Sequence, residues 1–270
     1  MLTKPGIIFG NLVTAMAGFC LAAQKGGMEA SLFFAALGGL SLIIASACVC
    51  NNYIDRDIDS MMKRTKNRPS VIGNIPLVNG VVFALLLLLG GSVLLAKCTT
   101  TLALLTALFG FFVYVVIYGV AKRKTHHATL IGSVAGAVPP VVGYTAVTGS
   151  FDMTALLLFS IVLFWQLPHF FAIAIYRLEE YKAANVPVLP AVSGVAVTKT
   201  YMLFAIFAFI AATLSLWAFR GMGPVYLITS CLLGVTWIML SVSNKEMWAR
   251  KMFFFSLAVI MLLCLAIAFE

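Results

Sequence analysis

Long apolar runs separated by short polar connections make up most of the 270-residue chain. A helix needs about 20 apolar residues to cross the hydrocarbon layer of a membrane, and nine runs have about that length. Runs such as VVFALLLLLGGSVLLA do not alternate between apolar and polar positions, as the strands of a membrane β-barrel do. The pattern therefore predicts an all-α polytopic membrane protein with nine transmembrane helices. Their expected bounds are residues 7–23, 31–53, 77–96, 101–120, 129–148, 154–176, 200–219, 223–243 and 252–269.

The composition supports this fold class and excludes a soluble one. Hydrophobic residues make up 62% of the chain and charged residues only 10%, which is more apolar surface than a soluble domain can bury. No linker, low-complexity tract or block of charge divides the sequence. We therefore expect residues 1–270 to form a single membrane domain.

The net charge of +9 is explained by where the basic residues lie, without a nucleic-acid partner. If the N-terminus is cytoplasmic, fifteen of the eighteen Lys and Arg residues, Lys245 among them, fall at or in inner connections. Only Lys25, Lys97 and Arg220 fall on the other side. This is the positive-inside bias of membrane proteins. It predicts a cytoplasmic N-terminus, an outer C-terminal Glu270, and chemistry on the cytoplasmic side, where the second and sixth connections are long and polar.

The polar stretch after the second run contains a candidate metal site. Asn51, Asp55 and Asp59 are spaced four residues apart, so on a continuous helix they would share one face, with Asp57 pointing away. Carboxylate and amide oxygens are suitable ligands for Mg²⁺, which also binds water and substrate phosphate oxygens. The alternative is that these acids only balance the charge of nearby basic residues, namely Arg56, Lys63 and Arg64.

Basic residues near this candidate site are suited to a diphosphate. The acids are followed by Lys63, Arg64, Lys66 and Arg68. Ammonium and guanidinium groups can bind the phosphate oxygens that a bridging metal leaves free, although basic inner loops are also expected from topology alone. The fourth connection offers a second polar set that could bind the same anion, and it comprises Tyr118, Lys122, Arg123 and Thr125.

The sixth run leads into a second acidic patch, RLEEY, in which Glu180 follows Tyr176 by four residues. His169 lies about 10 Å inside the predicted end of this helix, at about 1.5 Å per residue, next to Gln166 and the helix-bending Pro168. An ionisable side chain at that depth is a functional candidate. The alternative is a neutral histidine that bonds to a neighbouring helix.

Together these motifs resemble those of the UbiA-type intramembrane prenyltransferases. Asn51, Asp55 and Asp59, with the basic run after them, resemble the first aspartate-rich motif of that superfamily. Three further blocks narrow the resemblance to its heme O synthase branch: TKPGI at 3–7, AKRKT…GSVAGAVPP at 121–140, and WQLPHF…YRLEEYKAANVPVLP at 165–190. The similarity covers essentially the whole chain in the expected order.

The resemblance implies a nine-helix bundle around a central cavity, with both acidic motifs at its cytoplasmic mouth, in a bacterial cytoplasmic (inner) membrane. The implied reaction transfers a farnesyl group from farnesyl diphosphate to a vinyl group of protoheme (heme B), with addition of water, and gives heme O. Mg²⁺ is the expected cofactor, whereas heme B is a substrate. Contact with a heme A synthase or a terminal oxidase would be consistent with this reaction.

The resemblance and the spacing together assign expected roles to individual residues. Catalytic roles are expected for His169, Asp55, Asp59 and Tyr118. The metal is expected to bind Asn51, Asp55, Asp59 and Glu180. The expected substrate-binding residues are Arg64, Arg68, Lys122, Arg123, Arg177, Trp165 and Gln166. His169 would face the heme, where it could touch the iron or the propionates or take part in proton transfer, and the sequence does not choose among these.

Two features depart from the family pattern. The second acidic motif usually has an aspartate before its tyrosine, whereas this chain has Glu180 there and Glu179 beside it. Either glutamate could therefore bind the metal. The chain also starts two residues before Thr3, where family members usually carry a longer arm, so we expect an abbreviated start.

Two other functions share parts of this pattern. A sister prenyltransferase that acts on an aromatic or quinone precursor would share the first motif but not the WQLPHF block. A secondary transporter would also be polytopic, but its charged residues would be expected near the bilayer midplane. The acids here cluster at one predicted membrane surface, which favours the prenyltransferase.

Overall fold

The computed structural model describes residues 2–24, 26–243 and 247–269. Lys25, Lys245 and Glu270, which were named in the prediction of the membrane orientation, lie outside the described residues. Every regular element in those three ranges is helical. Counted over the same ranges, nine helical segments are long and apolar enough to cross a membrane. The predicted all-α architecture with nine spans is therefore confirmed.

The first half of the chain forms α1 (Pro5–Ala23), α2 (Ala30–Ile54), α3 (Arg56–Met61), α4 (Leu77–Cys98), α5 (Thr101–Phe112), α6 (Gly119–Lys124), α7 (Ala128–Gly136) and α8 (Val138–Thr148). A π-helical segment, Val113–Tyr118, joins α5 to α6 within one span, and α7 and α8 share the next span. The second half forms α9 (Met153–Tyr176), α10 (Leu178–Ala183), α11 (Leu189–Val192), α12 (Gly194–Arg220), α13 (Pro224–Ser241) and α14 (Trp248–Phe269). The short helices α3, α10 and α11 belong to the long polar connections.

The seventh and ninth spans begin earlier than predicted, at Gly194 and Trp248 rather than at residues 200 and 252. Both predicted bounds directly follow a lysine. A lysine can pack its aliphatic stem along a helix while its ammonium group finds a polar or aromatic partner. The Nζ of Lys199 does so, because it lies 4.2 Å from the centre of the Trp248 ring. Charge alone therefore placed these two helix starts too late.

Small residues allow α1 and α8 to cross closely. A Cβ atom on Gly18 would overlap the carbonyl oxygen of Pro140, and one on Gly143 would overlap the carbonyl oxygen of Ala15. Transmembrane helices commonly associate through small residues in this way, because lipid offers no hydrophobic drive to bring them together. The two backbones are consequently in direct contact.

Two apolar cores lie on either side of this crossing. One core contains residues of α9, α12, α13 and α14, and the other contains residues of α2, α4 and α5. Helix α1 contributes Leu21 to the first core and Phe19 to the second. Helix α8 likewise contributes Val141 to the first and Val142 to the second. The crossing of α1 and α8 thus joins the two halves of the bundle.

Polar contacts tie the helix ends on the side away from α3 and α10. The Tyr144 hydroxyl donates to Asp152 Oδ2 at 2.7 Å, and Asp152 Oδ1 accepts the Ala155 backbone N–H at 3.1 Å, which caps α9. Arg220 donates to the backbone oxygen of Leu21 at 3.4 Å. These contacts connect the ends of α1, α8, α9 and α12.

A surface depression and an apolar groove lie in the described part of the chain. A depression of about 560 Å³ lies beside α3 and α6, and Arg56, Asp57 and Arg123 are among its lining residues. An apolar groove of about 360 Å³ lies between α5, α8 and α9, where Phe109 and Phe159 line it. The central cavity implied by the resemblance stays a prediction.

Candidate active site at the charged end of the bundle

The end of the bundle that carries α3, α6 and α10 is here named the charged end. Helix α2 stops at Ile54 and α3 starts at Arg56, with Asp55 at the junction. The Asp55 N–H still donates to Asn51 O at 2.9 Å, and the Asp59 N–H donates to Asp55 O at 2.8 Å. The helix is thus broken into two at Asp55, but the four-residue spacing of the three polar side chains survives the break.

The three acids in this stretch have different surroundings. Asp59 is only 4% exposed and Asp55 is partly buried, whereas the Asp57 side chain is 62% exposed. Asp59 pairs with Arg68 at 2.5 Å, and Asp55 forms an ion pair with the buried Lys122. As predicted, Asp57 points away from the face that Asn51, Asp55 and Asp59 share.

Lys122 and its neighbour Arg123 point in different directions, although both were predicted to bind one diphosphate. Lys122 reaches Asp55, while Arg123 binds both carboxylate oxygens of Asp57 at 2.5 and 2.6 Å and also the Ile54 carbonyl. The Arg123 guanidinium lowers the pKa of Asp57 to about 2. The structure therefore joins Lys122 to the shared acidic face and separates Arg123 from it, because consecutive residues leave a helix about 100° apart.

The π-helical segment Val113–Tyr118 brings aromatic rings under Lys122. The Lys122 ammonium lies 5.2 Å from the centre of the Tyr118 ring, which stacks on Tyr114 with 5.6 Å between ring centres. π-Helical turns are rare and often occur at functional sites. Tyr118 is thus placed beside the Asp55–Lys122 pair.

Lys4 is a member of this site that the sequence did not single out. Its ammonium group donates to Asn51 Oδ1 at 2.7 Å, and Asn51 Nδ2 in turn donates to Asp55 Oδ2 at 2.9 Å. The pKa of Lys4 is lowered to about 8, mainly by burial and then by Arg68. Lys4 also has a φ of 51°, a value that residues other than glycine rarely adopt and that functional sites often retain. Its position within the TKPGI block was the available signal.

The second acidic motif lies where α9 ends and α10 begins. Glu180 pairs with Arg177 at 2.9 Å, and its second carboxylate oxygen, Oε2, is buried without a hydrogen-bond partner. Glu179 is 85% exposed at its side chain and pairs with Lys182 at 3.0 Å. Of the two glutamates, only Glu180 therefore has a buried carboxylate oxygen free to accept a ligand.

Electrostatic contacts link the two acidic motifs. Burial raises the pKa of Tyr181, while Arg64 and Arg177 act to lower that pKa and Glu180 to raise it. Arg64 follows the first motif and Glu180 belongs to the second, so both lie within electrostatic range of one ring. Tyr118 likewise lies within electrostatic range of Asp55 and Tyr181. The charged end thus brings both motifs into one region.

The donor set at the charged end suits a hard cation, although its acids are not gathered around one point. Among the described residues, no three His, Cys, Asp or Glu side chains are close enough together to hold a metal ion. The available ligands are carboxylate and amide oxygens, which Mg²⁺ prefers, and Glu180 Oε2 has no hydrogen-bond partner. These residues therefore fit Mg²⁺ in chemical type.

The Trp165–Gln166–His169 group lies deeper, inside α9. His169 is buried and stacks on Trp165, with 5.1 Å between ring centres, and its Nδ1 contacts the Ser256 hydroxyl at 2.7 Å. This contact is the bond to a neighbouring helix that the alternative interpretation of His169 predicted, and the predicted catalytic role of His169 stays a prediction. Gln166 Nε2 donates to the backbone oxygens of Ser133 and Val162 at 3.2 and 3.0 Å. Gln166 thus braces α7 against α9, and its predicted contact with substrate stays a prediction.

The chain is similar to known proteins of one family along most of its length. A model described as the UbiA prenyltransferase family matches residues 11–265. The chain belongs to the UbiA prenyltransferase family. A relative from Protochlamydia amoebophila, named protoheme IX farnesyltransferase, is 49% identical over 275 aligned residues, which cover 100% of this chain and 97% of the relative. A protein of the same name from Photorhabdus laumondii is 48% identical, and the match covers 96% of this chain and 90% of that protein.

Solved structures of UbiA homologues share the fold. One from Aeropyrum pernix K1 aligns with a TM-score of 0.80 at 20% identity, covering 99% of this chain and 98% of that chain. Another, from Archaeoglobus fulgidus, is described as bound to DMAPP and Mg²⁺ and aligns with a TM-score of 0.64 at 14% identity, covering 99% and 97%. At these identities the likeness establishes the UbiA fold and nothing finer.

Proposed function

We propose that this UbiA family member is a heme O synthase, which transfers a farnesyl group from farnesyl diphosphate to a vinyl group of protoheme with addition of water. The observation that carries the proposal is the charged end, where two acidic motifs and several cations lie at one end of a bundle that also holds an aromatic group around His169. Full-length relatives at 49% and 48% identity named protoheme IX farnesyltransferase support the choice of acceptor.

Mg²⁺ would be held by oxygen ligands at the charged end, together with substrate phosphate. The candidate ligands are Asn51, Asp55, Asp59 and Glu180. When bound, the metal would neutralise the negative charge that develops on the departing diphosphate. The unpartnered Glu180 Oε2 supports Glu180 over Glu179 as the ligand from the second motif.

The cations of the charged end would bind the diphosphate. Lys122, Arg68 and Arg177 each pair with an acid of one of the two motifs, and a diphosphate with its metal can exchange these ion pairs for phosphate contacts. Arg64, which lies near Tyr181, would join them. Arg123 contributes less, because Asp57 engages its guanidinium on the other face of the helix.

The residues deeper in the bundle would receive the farnesyl group and the heme. A farnesyl cation needs protection from premature attack by water, and the stacked Tyr114 and Tyr118 rings beside Lys122 offer faces that stabilise positive charge. Trp165 and His169 offer an aromatic surface for the porphyrin. After the vinyl carbon bonds to the farnesyl group, water adds to the resulting cation and one proton leaves.

The topology proposed from charge places the charged end and the N-terminus in the cytoplasm of a bacterial cell, with the protein in its cytoplasmic membrane. The nine apolar helices support membrane insertion, and the distribution of basic residues supports this orientation. A heme A synthase or terminal oxidase would receive the product.

The decisive experiment is to incubate purified protein in lipid nanodiscs with heme B, farnesyl diphosphate and Mg²⁺, and to identify the pigment by mass spectrometry. We expect heme whose mass has increased by one farnesyl group and one hydroxyl group. Removal of divalent cations with a chelator should abolish formation of this product, and added Mg²⁺ should restore it.

Two outcomes would contradict the proposal. Unmodified heme, with prenylation of an added aromatic acid or quinone precursor instead, would make the protein a sister prenyltransferase. Transport of a labelled solute into liposomes, with no prenylated product, would support a transporter. The position of the acids at one end of the bundle, instead of midway along the helices, weighs against the latter.

A further inference from the structure

Ser256, on α14, contacts both aromatic members of the Trp165–His169 pair. Its backbone oxygen accepts the indole N–H of Trp165 at 2.7 Å, and its hydroxyl oxygen lies 2.7 Å from His169 Nδ1. The same hydroxyl donates to the backbone oxygen of Phe253 at 2.6 Å. Ser256 is fully buried, and it lies outside every motif found in the sequence. One residue of the last helix thus fixes two rings of α9.

These distances assign the proton on the imidazole ring. The Phe253 carbonyl brings no hydrogen, so the single hydrogen of the Ser256 hydroxyl must lie between these two oxygens. The contact between Ser256 Oγ and His169 Nδ1 then requires a hydrogen from the ring. A neutral His169 therefore carries its proton on Nδ1, and its other nitrogen, Nε2, keeps a lone pair.

Three aromatic rings pack around the His169 imidazole. The ring centres of Trp165, Phe170 and Phe253 lie 5.1, 5.3 and 5.0 Å from that of His169. Over the described residues, His169 takes part in no ion pair. A histidine that binds a metal usually donates its other ring N–H to a protein acceptor, which fixes the tautomer and the ring orientation. His169 already has this arrangement, with Ser256 as the acceptor.

We propose that Ser256 is a positioning residue that presents the Nε2 lone pair of His169 to the iron of the acceptor heme. This inference rests on the proposed function, since heme is the acceptor there. The coordinate bond takes both electrons from Nε2, a water molecule leaves the iron, and the oxidation state of the iron does not change. Holding the iron restricts where the porphyrin vinyl groups can lie relative to the farnesyl group.

The test is a titration of the purified full-length protein in lipid nanodiscs with ferric heme, followed by optical absorption and electron paramagnetic resonance. The wild type should give the spectrum of histidine-ligated heme. His169→Ala should lose that spectrum, and His169→Gly should regain it when imidazole is added. Ser256→Ala should raise the dissociation constant for heme about 10- to 100-fold, as loss of such a supporting hydrogen bond does, whereas Ser256→Thr should retain most of the affinity.

Ser160→Ala is the matched control, because Ser160 also bonds to its own helix, donating to Leu156 O at 2.8 Å, but lies at a partly exposed position and contacts no histidine ring through a hydrogen bond. It should bind heme as the wild type does. An unchanged spectrum in His169→Ala, or an unchanged dissociation constant in Ser256→Ala, would overturn the inference.

The heme titration and the product assay separate this inference from the proposed function. A protein that ligates heme through His169 but forms no farnesylated heme would refute the proposed function and leave the iron contact standing. A protein that forms heme O while its heme spectrum does not depend on His169 would refute the iron contact alone.

Discussion

Asp55, Asp57 and Asp59 carry the same charge within five residues, yet they meet different surroundings. Asp55 pairs with the buried Lys122 and Asp59 with Arg68, whereas the exposed Asp57 pairs with Arg123 on the other face. The four-residue spacing already separates Asp57 from the other two acids, but it does not show which residue each acid pairs with. Because the three acids differ in burial, removing the charge of each one in turn tests the proposed metal site.

Asp55→Asn and Asp59→Asn should each lower the rate of heme O formation about 100-fold or more, because each removes charge that stabilises the metal and the departing diphosphate. Asp57→Asn should stay within about twofold of the wild type, since Asp57 faces away from the site and surface pairs contribute little. Initial rates at saturating Mg²⁺ measure the difference. Full activity of Asp55→Asn would contradict the proposed metal site.

Lys4 supplies a second prediction at the residue scale. Lys4→Met removes the hydrogen bond to Asn51 and a positive charge near the diphosphate, so KM for farnesyl diphosphate should rise about tenfold, the usual effect of one charged hydrogen bond. Lys4→Arg should recover most of this loss. Lys97→Met is the control, because Lys97 is exposed at the end of α4 away from the charged end. Equal KM values for Lys4→Met and Lys97→Met would remove Lys4 from the site.

At the scale of helices, the crossing of α1 and α8 depends on two positions without a side chain. Gly18→Ala should lower the temperature of half-unfolding in detergent by several degrees, because the new methyl group overlaps the Pro140 carbonyl and overpacking typically costs about 1–3 kcal/mol. Gly10→Ala, on the same helix with open space around it, should be neutral or slightly stabilising. Equal effects of the two substitutions would show that the close approach is unimportant.

Individual helices could be predicted from the sequence better than their contacts. Hydropathy is a local property, so the spans were found even though a lysine misplaced the start of α12. The partners of each helix were not predictable, because apolar residues surround these helices on all sides and no single face is marked. The contact between Ser256 and His169 is an example of one that the sequence could not predict. An isolated serine in an apolar helix belongs to no pattern that would connect it to His169 across the bundle.

At the scale of the whole molecule, the orientation in the membrane can be tested with a native cysteine. Cys98 is exposed at the end of α4 opposite the charged end, so a membrane-impermeant maleimide should label it from outside intact cells. Cys98→Ser should lose this labelling. If Cys98 reacts only after the membrane is permeabilised, the proposed orientation is inverted and the charged end faces outward.

The candidate site was predictable where it followed helical spacing and unpredictable where it depended on assembly. The shared face of Asn51, Asp55 and Asp59 followed from four-residue steps, and the structure retains those steps across the break at Asp55. The separation of Lys122 from Arg123 depended on the direction in which α6 meets α2 and α3. The docking of Lys4 onto Asn51 joins residues 47 positions apart, which a local pattern cannot show.

The π-helical segment Val113–Tyr118 also determines where this protein can change in length. Its wider turns hold one residue more than α-helical turns do, so a deletion between residues 113 and 118 can close the segment into an ordinary α-helix while α5 and α6 keep their original neighbours. Helix α5 has no extra residue of this kind. A deletion within it would therefore rotate every later side chain of the span by about 100° relative to α5, which would move Lys122 away from Asp55. Homologues that are one residue shorter in this span would therefore be expected to lack that residue beside Tyr114 and Tyr118.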